Sequence, residues 1–273
     1  MMNIVMSAND YVYCGVELVI YSTLTHNKNI NWYIFTMNVA IRDDEGNYKA
    51  YKGINDRQQE KLKKIVKYLD KNSNITFIDC APFYQKHLEG SVNEQSDFTP
   101  YATLRLIMDK ALPYVNETLY FDCDVGVMGN FESMYRDCAQ QKSESCFAVY
   151  ADDANQHEGE MVSGVMFLNL DTIRRNGFLD RARDNYMKNF YMYPDQMALR
   201  DSGAIAHLNN AYGYLWDYQK RNVNPIIVHF TNDLEPKIYD ARGQENEQYF
   251  YRRFPEFAYV RTGLRLIDQI NGL

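Results

Sequence analysis

A chain of 273 residues that is 46% hydrophobic and 24% charged has the length and apolar content for one large globular domain with a sizeable core, which excludes disorder as the starting assumption. Its formal net charge of -7 argues against non-specific nucleic-acid binding, because that binding needs Lys and Arg to neutralise phosphates. Any phosphate held here therefore needs a cation or a few local basic groups.

No stretch approaches the roughly 20 apolar residues that span a bilayer. Met1 to Asp10 has no basic region followed by an apolar core, so a cytoplasmic location is expected. The 5 cysteines, Cys14, Cys80, Cys123, Cys138 and Cys146, contain no C-x-x-C pair and read as reduced, small buried side chains.

In chain order, Asn3 to Ser7 is an apolar run suited to a buried strand, and Val16 to Leu24 continues at helical spacing. Trp32 to Met37 reads as a second strand, followed by a polar loop at Asp43 to Asn47. Asn55 or Asp56 is placed to cap a helix whose Leu62, Ile65, Val66 and Leu69 share one core face. Ile75 to Asp79 is a third strand, Tyr101 to Leu112 a helix, and Glu117 to Phe121 a fourth strand running into Asp122. Strands at Cys146 to Tyr150, Gly164 to Leu170 and Pro225 to His229 follow, with a helix from Asp171 to Asn189 between the last two. This alternation predicts an α/β fold with a Rossmann-like, mostly parallel sheet flanked by helices. Ligands of such sheets sit at the carboxyl ends of strands, where Ala8-Asn9-Asp10 and Asp122-Cys123-Asp124 both fall.

Asp122 and Asp124 leave one strand end close together, and two such anions repel unless something positive lies between them. A hard divalent ion such as Mn²⁺ or Mg²⁺ removes that cost and binds phosphate oxygens in the same octahedron. His229 closes another apolar strand and suits Mn²⁺ beside carboxylates; a hydrogen-bonded rim histidine is the plainer reading. A diphosphate and two aspartates outweigh one divalent ion, so a basic residue is expected too, with Lys237 and Arg105 as candidates.

Six segments in order carry a family resemblance: Asn3 to Tyr11, Tyr101 to Leu106, Leu119 to Val127, Ser163 to Leu170, Pro194-Asp195-Gln196 and Val228-His229-Phe230. Together they resemble glycosyltransferase family 8, which includes bacterial lipopolysaccharide galactosyl- and glucosyltransferases and glycogenin. The resemblance implies a GT-A fold, a UDP-sugar donor (UDP-glucose or UDP-galactose), Mn²⁺ on Asp122, Asp124 and His229, and retention of anomeric configuration. It also implies a glycan or glycolipid acceptor. By position, Ala8, Asn9, Asp10 and Tyr11 would hold uracil and ribose, and Asp195 the donor-sugar hydroxyls. Gln196 would lie beside the anomeric carbon, opposite the leaving phosphate. Arg105, Asp122, Cys123, Asp124 and Lys237 would complete the nucleotide-sugar contacts. Pro194-Asp195 also suits a plain helix start.

Three departures stand out. Relatives often carry arginine where Thr103 stands and asparagine where Val162 stands, and Arg105 would point differently from Thr103 on a helix. The segment Thr231 to Ile238 replaces a short loop ending Lys-Pro-Trp, which weakens the Lys237 assignment. Two other functions compete. Leu119 to Val125, with Asp152-Asp153, resembles a haloacid-dehalogenase-type phosphohydrolase with Asp122 as nucleophile; Thr103 and Val162 suggest a nucleotide-sugar-binding protein with little transferase activity.

The catalytic domain is expected over residues 1–240. Residues 241–273 form a tail in which six aromatics from Tyr249 to Tyr259 alternate with Arg252, Arg253, Arg261 and Arg265. Such a tail suits docking of acceptor or partner, peripheral contact with the inner face of a membrane, or packing against the domain.

Overall fold

The computed structural model describes residues 1–42, 46–96, 98–151, 159–215, 224–230 and 254–271. The first half runs β1 (Met2–Ser7), α1 (Tyr13–His26), β2 (Ile30–Thr36), β3 (Val39–Arg42), β4 (Tyr48–Tyr51), α2 (Asp56–Leu69), β5 (Asn74–Asp79) and α3 (Ala81–His87). Asn55 is the cap of α2: its side chain accepts from the Gln58 N–H while Gln58 Oε1 accepts from the Asn55 N–H, each at 3.0 Å. Leu62, Ile65 and Val66 of that helix are fully buried, as their spacing predicts. The polar stretch after β2 is flanked by an antiparallel hairpin, β3 with β4, where the sequence suggested only a loop.

A 3-10 turn, Ala102–Ile107, leads into α4 (Met108–Ala111) and β6 (Thr118–Phe121), so the expected helix from Tyr101 to Leu112 is wound more tightly over its first half. Then come β7 (Val125–Val127), α5 (Glu132–Gln140), β8 (Cys146–Tyr150), β9 (Met161–Leu168), α6 (Leu170–Asn176), α7 (Phe178–Lys188) and α8 (Pro194–Arg200). The single helix expected from Asp171 to Asn189 is two, because Gly177 adopts a left-handed conformation (φ 70°, ψ 24°) that ends α6. Short strands β10 (Ala206–His207), β11 (Tyr214–Leu215) and β12 (Ile227–His229) and a last helix, α9 (Ala258–Asn271), complete the described elements.

Seven strands form the central sheet in the order β10-β8-β9-β6-β1-β2-β5. Its neighbours pair in parallel except where β9 meets β6 and β8, so β9 alone runs against the rest. Both faces are covered. Ile4, Met6, Trp32, Ile34, Leu119 and Phe121 face the core under α1, α2, α5 and α9. Val5, Phe35 and Tyr120 face the opposite core, under the 3-10 turn and α6 to α8. This period-two alternation on strands buried from both sides explains why their sequences read as unbroken apolar runs.

A second sheet, β11-β12-β7, fixes the geometry of the site. Its antiparallel β12–β7 ladder sets His229 opposite Val125, and the Phe230 N–H donates to the Asp124 carbonyl at 2.9 Å. Gly126 has no room for a side chain, since a Cβ there would lie 2.5 Å from Phe257 and 3.0 Å from Phe230. The C-terminal segment is thereby locked to this small sheet. Val260 and Ile267 of α9 are buried in the same core as α1 and α2, and Lys61 of α2 pairs with both Glu17 of α1 (2.9 Å) and Asp268 of α9 (3.1 Å).

Candidate active site

β6 delivers Asp122, Cys123 and Asp124 at its carboxyl end, and the neighbouring strand β9 keeps hold of the chain there: the Asp122 N–H donates to the Gly164 carbonyl at 2.9 Å. His229 Nε2 lies 3.2 Å from Asp124 Oδ1 and 4.0 Å from Asp122 Oδ2. One ligand atom from each of the three side chains falls within 4.8 Å of the others. In an octahedron with metal–oxygen bonds of about 2.1 Å, adjacent ligand atoms lie about 3.0 Å apart and opposite ones about 4.2 Å apart, so these spacings suit one divalent ion. Asp124 Oδ1 is buried and makes no well-formed hydrogen bond, which a cation would remedy. The residues present therefore fit a hard or borderline divalent metal.

The electrostatics agree. Burial pushes the Asp122 carboxyl above its ordinary value; Arg105 works against that shift and Asp124 adds to it. For His229, burial opposes the charged form, but Asp124 and Asp122 outweigh it and hold the imidazole above its ordinary pKa. Arg105 pairs with Asp122 and Asp195, and among the described residues no second guanidinium or ammonium pairs with the carboxylates of Asp122, Asp124 and Asp195, a grouping of negative charge that a divalent ion would help to balance.

Arg105 is buried at the centre of this cluster. It pairs with Asp122 at 2.6 Å and Asp195 at 3.0 Å, donates to Ser163 O and Oγ at 2.7 Å each, and lies over the Tyr120 ring at 4.4 Å. The 3-10 winding explains its direction. With three residues per turn, Arg105 stands above Ala102, to whose carbonyl its Nε donates at 2.9 Å, and both border the cavity. Thr103 faces the other way and donates its hydroxyl to the Pro100 carbonyl at 2.8 Å. Arg105, and not Thr103, therefore brings its side chain to the cavity.

A cavity of about 260 Å³ joins these groups, bordered by Asn9, Arg105, Asp122, Cys123, Asp124, Val162, Asp195, Gln196 and His229 among others. Eight of the predicted site residues thus border one space. Asn9 Oδ1 accepts the Val12 N–H at 3.0 Å and so also shapes the turn into α1. Ala8 is buried and donates its N–H to the Phe35 carbonyl, while Asp10 and Tyr11 are exposed and are not among the bordering residues. Cys123 is buried, and desolvation holds its thiol well above its ordinary pKa, hence protonated. Lys237 and Asp152-Asp153 lie outside the described residues.

Three contributors escaped the sequence reading. Tyr120 donates its hydroxyl to Asp122 Oδ1 at 2.8 Å beneath Arg105, where the pattern marked it only as strand filler. Ser163 touches Arg105, Asp195 and Gln196. A Cβ on Gly164 would lie 2.2 Å from His229 Cε1, so only glycine lets the imidazole lie against β9. The Ser163-Gly164 pair stood inside a recognised segment, but its contacts depend on strand pairing across distant parts of the chain.

The fold and site define a class: this is a glycosyltransferase of GT-A architecture. Solved structures share its fold, including the galactosyltransferase LgtC in complex with donor and acceptor sugar analogues (16% identity, TM-score 0.62, covering 91% of this chain and 94% of that one). Mouse xyloside xylosyltransferase 1 matches at 13% identity and TM-score 0.58 over 85% of this chain and 97% of that one. The glycosyltransferase GlyE of Streptococcus pneumoniae TIGR4 matches at 14% identity and TM-score 0.63, over 95% of this chain and 62% of that longer one. No curated protein matches at the sequence level. The chain belongs to glycosyltransferase family 8, whose sequence profile matches residues 3–236. That span does not favour the phosphohydrolase reading.

Proposed function

We propose that the protein transfers a hexose, from UDP-glucose or UDP-galactose, to a hydroxyl of a glycan or glycolipid, with retention of configuration and with Mn²⁺ or Mg²⁺ on Asp122, Asp124 and His229. The observation that carries this reading is the convergence of that triad with Asp195 and Gln196 on one cavity in a family 8 chain. LgtC, described in complex with donor and acceptor sugar analogues, supports the substrate classes. A divalent ion at the triad would supply positive charge to the diphosphate as the glycosidic bond breaks. Arg105 holds Asp122 and Asp195 in place and offsets part of their charge. Lys237 is the further phosphate contact we assign from the sequence.

Retention favours attack from the face the UDP leaves. Gln196, which the family resemblance sets beside the anomeric carbon, is an amide and a poor nucleophile, which argues against a covalent intermediate at that position. The acceptor oxygen bonds to the anomeric carbon as the carbon–phosphate oxygen bond breaks, and the acceptor proton passes to the leaving phosphate oxygen. The test is turnover of a UDP-sugar panel with Mn²⁺, with the product anomer read by NMR. An inverted product would refute retention; Mn²⁺-dependent UDP binding with neither transfer nor sugar release would mark a binding protein.

Among the described residues, no helix is long and apolar enough to cross a membrane. Tyr259, Leu266 and Ile270 of α9 are exposed beside Arg265, which supports peripheral membrane contact through a C-terminal helix that also packs on the domain. Unchanged flotation with anionic vesicles after Leu266→Ser and Ile270→Ser would exclude that contact.

A further inference from the structure

His229 lacks the bond that usually orients a metal-binding imidazole. The ring nitrogen turned away from a metal commonly donates to a carboxylate, a carbonyl or water, and that bond fixes the plane of the ring. Here Nε2 lies 3.2 Å from Asp124 Oδ1, while Nδ1 is buried and meets no hydrogen-bond partner among the described residues. Packing holds the ring instead. One wall of that packing is Gly164, where a Cβ would lie 2.5 Å from His229 Nε2 and 2.7 Å from Nδ1, so the imidazole rests on the backbone of β9.

The other wall is reached through β12. This strand is only 3 residues long and pairs with two strands as short, so its few ladder hydrogen bonds fix its position weakly. Phe230 follows His229 directly, and because side chains alternate along an extended chain it points away from the imidazole. Its ring is fully buried against two others: the centroid of Phe254 lies 4.6 Å away and that of Phe257 5.6 Å away, both edge-on. Phe257 also covers Gly126 of β7, the residue paired with Val228. Phe254 and Phe257 belong to the turn that leads into α9, and α9 is seated on α1, where Gly263 makes room for the Tyr21 hydroxyl. The family profile ends at residue 236, so this aromatic support lies outside the segment that defines the family.

We propose that Phe254 and Phe257 are positioning residues for His229: by clamping Phe230 against β7 they set the place of β12, and with it the imidazole, beside Asp122 and Asp124. The start of the C-terminal helix is then part of the foundation of the metal centre, and not an appendage to a catalytic domain that ends near residue 240. The proposal rests on the reading of Asp122, Asp124 and His229 as a metal site and adds what holds the third ligand in place.

The test compares full-length Phe257→Leu with the parent protein and with Ile173→Ala, a buried position on α6 across the central sheet. By calorimetry at pH 8, Phe257→Leu should lower Mn²⁺ affinity at least about tenfold. Ile173→Ala should lower the Tm at least as far as Phe257→Leu does, yet leave Mn²⁺ affinity within about twofold of the parent. A second readout needs no metal. The His229 ring signals in a long-range ¹H–¹⁵N NMR spectrum, assigned by their loss in His229→Gln, should move in Phe257→Leu and stay in place in Ile173→Ala. Phe254→Leu should act in the same direction, and it carries the test if Phe257→Leu does not fold. Equal losses of Mn²⁺ affinity in Phe257→Leu and Ile173→Ala would reduce the aromatic cluster to general stability and overturn the proposal, as would unmoved His229 signals in Phe257→Leu. Absence of Mn²⁺ binding by the parent would instead refute the metal-site reading, while the His229 signals of the metal-free proteins would still decide whether the two phenylalanines position the ring.

Discussion

Replacing Arg105 by alanine removes the guanidinium that Asp122 and Asp195 share. The Arg105 side chain is 4% exposed and Asp195 is 6% exposed, so neither is rescued by bulk water in place. Removing one partner of a buried ion pair costs about 3–5 kcal/mol because a charge is left unpaired in a low dielectric. Asp122 is 27% exposed and its carboxyl already sits above its ordinary pKa, so it sheds its charge or hydrates at lower cost, and Asp195 carries most of the penalty. The loss should fall near the lower end, about 3 kcal/mol, out of a total of roughly 5–15 kcal/mol for a domain. Urea unfolding at pH 7 without metal measures it, with an unchanged m value as the sign that the unfolded state is the same. Arg105→Lys restores one charge without the fork and should recover only part of the loss. A loss under about 1 kcal/mol for Arg105→Ala would show that the carboxylates do not depend on this residue.

Other outcomes follow from the same geometry. Gly164→Ala drives a Cβ into the His229 ring and should weaken Mn²⁺ binding at least about tenfold while the far-ultraviolet spectrum is retained; unaltered Mn²⁺ affinity would contradict the packing. His229 and Asp122 are both held above their ordinary pKa values and must be deprotonated to bind a metal. Mn²⁺ affinity should therefore fall as pH drops from 8 to 6, by about tenfold or more, and calorimetry in two buffers should show proton release. Gly126→Ala overpacks against Phe257 and Phe230 and should cost about 1–3 kcal/mol in unfolding free energy.

Much of the scaffold was legible because its strands are buried on both faces. Ile4 to Met6, Trp32 to Phe35 and Leu119 to Phe121 read as continuous apolar runs, and the aspartates at the end of β6 follow directly. The β3–β4 hairpin was not legible, since its residues are mostly exposed or half-buried and lack a clean alternation. The direction of Arg105 depended on 3-10 winding, which apolar spacing does not distinguish from α-helix. Ser163 and Gly164 became visible only once β6, β9 and β12 were paired, because their partners lie tens of positions away, while Tyr120 was hidden because its polar contacts are with Asp122 two residues on and with Arg105 from the 3-10 turn.

The central claim is that Asp122, Asp124 and His229 hold a divalent cation that grips the diphosphate of a nucleotide sugar. Calorimetric titration of UDP into the protein with and without saturating Mn²⁺, repeated with Asp124→Asn, tests it most directly. UDP should bind at least about a hundredfold more tightly with Mn²⁺, and the gain should disappear in the variant. Equal UDP affinity with and without Mn²⁺ in the parent protein, or a gain that persists in Asp124→Asn, would contradict it.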